Sequence, residues 1–198
     1  MLLPYFKYPG HEAGIDEAGR GCLAGPVVAA AVILPEGYEN PDLDDSKKLS
    51  AGRRNFLREE ILEKAVDYGI GVADNSEIDQ HNILQATFLA MHRAINQLKR
   101  IPEFLIIDGN RFLPYGNVNH YCIVKGDSRY MSIAAASIMA KTFRDQLMHD
   151  LSRDFPHYGW ERNAGYPTRY HRNAIRKYGL SPYHRKTFRL LDGQVGLF

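Results

Sequence analysis

Apolar and polar positions change period several times along the chain. Gly25 to Leu34 reads GPVVAAAVIL, a nearly unbroken apolar run bounded by Pro26 and Pro35. Such a run suits a strand covered on both faces. AGIDEAGRG (Ala13 to Gly21) predicts a strand ending in a turn, and GIGVAD (Gly69 to Asp74) a short strand. EFLIIDG (Glu103 to Gly109) predicts a buried strand that ends in an acid and a glycine, and HYCIVKGD (His120 to Asp127) repeats that design. Helical spacing takes over at Ser50, where Phe56, Leu57, Ile61, Leu62 and Ala65 fall on one stripe. A second helix is predicted from about Asn82 to Lys99, carrying Ile83, Leu84, Phe88, Met91, Ile95 and Leu98. A third, Tyr130 to Leu151, is so rich in small residues that another backbone can lie close against it. After GYPT (Gly165 to Thr168) a basic helix runs to about Tyr178. The order predicts an α/β domain, a mixed central sheet flanked by helices. Residues 1–155 would form its body, and 156–198 a helical basic extension packed on it as one compact unit.

Composition narrows the picture little. The 198 residues, 44% hydrophobic and 24% charged, fit one soluble domain with a real core. Cys22 and Cys122 form no metal-binding or disulfide pattern, which suits a reducing compartment. No signal peptide or membrane span is evident, so a cytoplasmic protein is expected; it is also expected to be a monomer. The net charge is only +2, but it is unevenly spread. Residues 151–198 hold nine basic and three acidic residues, a net +6, whereas the rest carries −4. That asymmetry suggests a surface for polyanions beside a site for cations.

Three apolar strands end in acids close to glycine: Asp16 and Glu17 before Gly19, Asp108 before Gly109, and Asp127 after Gly126. Open α/β sheets place their sites at the carboxyl ends of strands, so acids distant in sequence can converge there. Four converging carboxylates repel one another. A pair of hard divalent cations, Mg²⁺ or Mn²⁺, would offset that repulsion. Two such ions about 3.5–4 Å apart clamp both oxygens of a phosphodiester displacement. Neighbouring strand residues face opposite ways. Asp16 is therefore expected to be the last in-register residue, with Glu17 reaching inward from a turn that Gly19 and Gly21 permit.

At these residues the sequence resembles a known family. GIDEAGRG, DSKKL (Asp45 to Leu49), IDGN, KGDS, SIAAASIMAK, GYPT and HRKTF (His184 to Phe188) resemble bacterial ribonuclease HII, in that family's order, over residues 12 to 190. The resemblance implies a ribonuclease-H-like fold and an endonuclease that cuts RNA in RNA/DNA hybrids and incises 5′ of single ribonucleotides in duplex DNA. A two-metal mechanism would leave 5′-phosphate and 3′-hydroxyl ends. The four metal-binding catalytic acids then fall on Asp16, Glu17, Asp108 and Asp127. Asp145 ranks below Asp127 as a ligand. Gly19, Arg20 and Gly21 match the family's glycine-arginine-glycine loop, and Tyr166 its tyrosine in GYPT. A glycine loop lets backbone approach a ribose closely enough to sense its 2′-hydroxyl. Lys47, Lys48, His184 and Arg185 are expected to touch phosphate. Two alternatives stand beside this reading: a non-catalytic nucleic-acid-binding module, and another metal-dependent nuclease on the same fold.

The chain ends in QVGLF. Gln194, Leu197 and Phe198 resemble the short peptides that dock on the replication sliding clamp.

Overall fold

The computed structural model describes residues 2–191 except 10, 44, 45, 47 and 48. Lys47, Lys48, Gln194, Leu197 and Phe198 therefore lie outside the described residues. Five strands form one sheet: β1 Glu12–Ala18, β2 Val27–Ile33, β3 Asp67–Ala73, β4 Phe104–Asp108 and β5 Asn119–Ile123. Their order is β3-β2-β1-β4-β5. β1 pairs antiparallel with β2 and parallel with β4, so the sheet is mixed. β2 is buried at all seven positions, as its unbroken apolar run predicts. Its alternate residues serve two cores. Ala29, Ala31 and Ile33 join one with the helix α2 (Asn75–Asn96), and Ala30 and Val32 join another with α1 (Ala51–Lys64) and α3 (Met131–Asp154).

α3 carries the run of small residues, and Ile133 to Ala136 are fully buried. The closeness this allows is visible at Gly14 of β1. A Cβ there would run into the backbone of Ser132 and Ile133. Only glycine lets the strand and helix axes approach this far.

Ser50 caps α1 by accepting from the Arg53 amide at 3.3 Å, at the predicted start. Leu57 and Ile61 are buried, but Phe56 is 59% exposed and leaves the predicted buried stripe. The Arg53 guanidinium covers the Phe56 ring instead. α2 starts seven residues before the predicted Asn82. Asp74 and Glu77 form a capping box there. Asn82 then interrupts the helix with φ 65°, and its side chain accepts from the amides of Leu84 and Gln85. The predicted start is thus a second internal cap. No helix among the described residues is long and apolar enough to cross a membrane.

Beyond α3, the helices α4 (Trp160–Asn163) and α5 (Arg169–Tyr178) pack on Met148, Leu23 and Ala24 through Trp160, Ala174 and Ile175, joined by Tyr158 from the turn before α4. Thr168 caps α5. The basic residues Arg169, Arg176 and Lys177 stay on its exposed side.

Candidate nuclease site

β1 and β4 run parallel side by side, which brings Asp16 and Asp108 to the same end of the sheet, near the carboxyl ends of both strands. Asp127 arrives differently. β5 stops at Ile123, four residues earlier, and Asp127 sits in a 3₁₀ turn over Gly126–Ser128. That corrects the expectation of a third strand-end acid. Asp108 itself holds the turn, because its Oδ1 accepts from the Gly126 amide at 2.7 Å. One carboxylate oxygen from each of Asp16, Asp108 and Asp127 lies within 4.8 Å of the other two.

Asp16 and Asp127 are each 4% exposed. Burial, with the charges of Glu17 and Asp108, raises the Asp16 carboxyl well above its ordinary range. A hydrogen bond from Ser137 opposes this, and Ser137 in turn meets Ser46 at 2.8 Å. Three closely spaced, mostly buried oxygen donors fit one kind of guest, a hard divalent cation.

Glu17 stands elsewhere. β1 continues past it: Glu17 pairs with Ala29 and Ala18 with Val28. The expectation that Glu17 leaves the strand is therefore wrong. Alternation gives Asp16 the α3 face and Glu17 the α2 face. Glu17 is outside the aspartate group among the described residues, and its Oε1 accepts from the Arg20 guanidinium at 3.1 Å. It still borders the cleft. A cavity of about 550 Å³ is lined by Asp16, Glu17, Gly19, Arg20, Gly21, Asp108, Lys141 and Tyr166. A larger one, of about 830 Å³, continues past Lys141 and Tyr166 between α1 and α4.

Gly19, with φ +96°, makes the turn that ends β1, and a Cβ there would strike the Arg144 guanidinium. Gly21 faces open space. Tyr166 is 38% exposed. Its ring lies near the cations of Lys141 (5.5 Å) and Arg144 (5.9 Å). Burial pushes its phenol up, so the O–H stays a donor at neutral pH. Asp145 pairs with Lys141 at 2.7 Å and is not in the aspartate group.

His184 and Arg185 do not reach the surface. Both are fully buried, which excludes the expected phosphate contacts in this arrangement. The segment bridges to Ala24 instead. The Arg185 guanidinium donates to the carbonyls of Gly19, Arg20, Gly25 and Pro26. Burial lowers its pKa to about 10, and it remains a cation at neutral pH. Arg144, also fully buried, ties together Pro26, Ala164 and Ala24. The Ser181 amide donates to His184 Nδ1, so His184 carries its proton on Nε2, facing His171 Nε2 at 3.1 Å. Trp160 Nε1–H donates to the same His171 nitrogen. His171 Nδ1–H then donates to the Tyr166 carbonyl at 2.9 Å.

Ser137, Lys141 and Arg144 escaped the reading of the sequence. One signal was present for Arg144. It lies four residues from both Ala140 and Met148, on a buried stripe where a cation needs partners.

Comparison with known proteins agrees with this geometry. The family described as Ribonuclease HII matches residues 13–191. Ribonuclease HII of Porphyromonas gingivalis is 61% identical over 189 residues, covering 96% of this chain and 94% of the relative. That of Parabacteroides distasonis is 58% identical over 197 residues, covering 100% and 99%. A solved structure, of a PCNA:RNase HII complex from Archaeoglobus fulgidus, aligns with TM-score 0.77 at 27% identity. It covers 93% of this chain and 98% of that one. Fold and site together define an endonuclease of the ribonuclease H class. Within that class, the chain belongs to the ribonuclease HII family.

Proposed function

We propose that this endoribonuclease hydrolyses the RNA strand of RNA/DNA hybrids and incises 5′ of single ribonucleotides in duplex DNA, leaving 5′-phosphate and 3′-hydroxyl ends. The convergence of Asp16, Asp108 and Asp127 within 4.8 Å carries the reading. A bare phosphodiester would be repelled by that trio, so a non-catalytic binding module has no use for it.

Asp16, Asp108 and Asp127 would hold Mg²⁺ or Mn²⁺, and the family's sequence pattern adds Glu17 to the set. When bound, two such ions would lower the pKa of a water and neutralise charge on the phosphate. The protein's own residues supply the rest. Ser137 and the Glu17 amide hydrogen-bond Asp16 and fix its orientation. Gly21, with nothing over its α-carbon, lets backbone approach a ribose. The Tyr166 ring stacks on a sugar while its neutral phenol donates. Arg20, 51% exposed at its side chain, is free to exchange Glu17 for a phosphate at little cost. Lys47 and Lys48 would add phosphate contacts. Another nuclease on this fold would have no need of the open glycine turn beside Tyr166.

Three synthetic duplexes test the reading: an RNA/DNA hybrid, a DNA duplex with one ribonucleotide, and an all-DNA duplex. With Mg²⁺ or Mn²⁺, the first two should be cut and the third left intact. Equal cutting of all three would overturn it.

We place the protein in the cytoplasm, where free Cys22 and Cys122 suit a reducing compartment, and take it to act as a monomer. Gln194, Leu197 and Phe198 would dock on a bacterial sliding clamp, a reading favoured by the PCNA complex of the Archaeoglobus relative. Removing residues 194–198 should abolish clamp binding and spare cleavage of a short hybrid. Unchanged clamp binding would contradict this.

A further inference from the structure

In the glycine turn the carbonyls of Gly19 and Arg20 are engaged, and the amides of Arg20 and Gly21 are open. Arg185 Nη2 donates to the Gly19 carbonyl at 2.7 Å, and Nη1 to the Arg20 carbonyl at 2.8 Å. Two consecutive peptide units are thus oriented by one planar guanidinium. A trans peptide is flat, with its N–H opposite its C=O. Drawing the Gly19 carbonyl inward therefore turns the Arg20 N–H outward. Drawing the Arg20 carbonyl inward does the same for the Gly21 N–H. Arg185 is fully buried, while Arg20 and Gly21 are exposed at the cleft. Among the described residues, neither outward amide has an acceptor. Paired outward amides form a concavity that binds an oxygen.

We propose that Arg185 is a positioning residue for ribose recognition, holding the Arg20 and Gly21 amides toward the cleft so that they donate to the 2′-oxygen or its neighbouring phosphate oxygen. This rests on the function proposed above. Arginine is required because its fork spans two carbonyls at once, and its remaining bonds to Gly25 and Pro26 anchor it to the next loop. A lysine offers a compact charge without the planar fork.

Binding is measured in Ca²⁺ for a duplex with one ribonucleotide and for the all-DNA duplex of the same sequence. The wild type should prefer the ribonucleotide by at least about tenfold, the worth of two net hydrogen bonds. A folded Arg185→Lys variant should lose that preference while still binding all-DNA duplex, since a general loss of stability would leave the ratio unchanged. A folded variant that keeps the wild-type ratio overturns the proposal. If Arg185→Lys does not fold, amide NMR of the wild type decides. The Arg20 and Gly21 N–H signals should move with the ribonucleotide duplex and not with all-DNA. Signals that respond alike to both overturn it. If the wild type itself neither cuts nor prefers the ribonucleotide duplex, the functional reading fails instead.

Discussion

Asp16 shows what bringing three aspartates together costs one residue. Its carboxyl titrates well above its ordinary value of 3.8, first because it is buried and then because Glu17 and Asp108 are anions. A raised value means that the folded protein prefers the protonated acid, so the ionised form opposes folding at neutral pH. A bound divalent cation reverses that sign. Asp16→Asn should therefore melt higher than the wild type in chelator. Adding Mn²⁺ should stabilise the wild type, by about 2.7 kcal/mol at a hundred times the dissociation constant, and leave the variant nearly unmoved. Thermal melts with and without Mn²⁺ check this; a wild type indifferent to Mn²⁺ would refute the cation site. His184 gives the opposite pH trend. Burial and the facing His171 lower it from 6.5 to about 4. The unfolded chain then takes up the proton first, so stability is full above pH 6.5 and is lost as pH falls toward 4. His184→Asn keeps an acceptor for the Ser181 amide and removes the titration. Its unfolding free energy should be lower at neutral pH and change less over that window in denaturant melts. A slope equal to the wild type's would show that other groups set it.

At the scale of elements, the strands were legible because their apolar runs are unbroken. Asp108 was legible for the same reason, since it closes such a run beside Gly109, and Asp16 because it follows the apolar start of β1, two residues before that strand ends. Glu17 and Asp127 show where that reading stops. A glycine after Glu17 suggested an early stop, but pairing with Ala29 and Val28 continues to Ala18. Nothing local reports how many ladder bonds a partner strand will offer. Asp127 joins the group by another route than expected: a 3₁₀ turn, tied down by Asp108, does the work assigned to a strand end. His184 and Arg185 were misread because a basic pair near the terminus looks like a surface grip. Their burial depends on Leu23 to Pro26, about 160 residues away. Asn82 was legible as a helix start and is one, inside a longer helix. Asn82→Ala removes the cap and places a Cβ-bearing residue without a side-chain acceptor at φ 65°. The loss should be about 1 kcal/mol, or a fall in Tm of about 2–4 °C for a chain of this size. Asn82→Gly should recover part of it. An unchanged Tm for the alanine variant would mean that the interruption is held by packing alone.

For the whole molecule, two opposite demands are met at neighbouring places. The carboxyl ends of β1 and β4 concentrate negative charge, and the surface of α5 carries Arg169, Arg176 and Lys177 into solvent. Between them two buried cations, Arg144 on α3 and Arg185 beyond α5, fasten the loop after β1. A nucleic-acid duplex would be drawn by the basic surface and cut at the acidic one. Cutting should therefore depend on the aspartate trio. Single-turnover incision of a duplex carrying one ribonucleotide tests it, with wild type and Asp108→Asn compared in saturating Mn²⁺. The wild type should cut cleanly on the 5′ side of the ribonucleotide, and the variant about a thousandfold or more slower, the loss of several kcal/mol of charge stabilisation. A folded Asp108→Asn that cuts at the wild-type rate would contradict it.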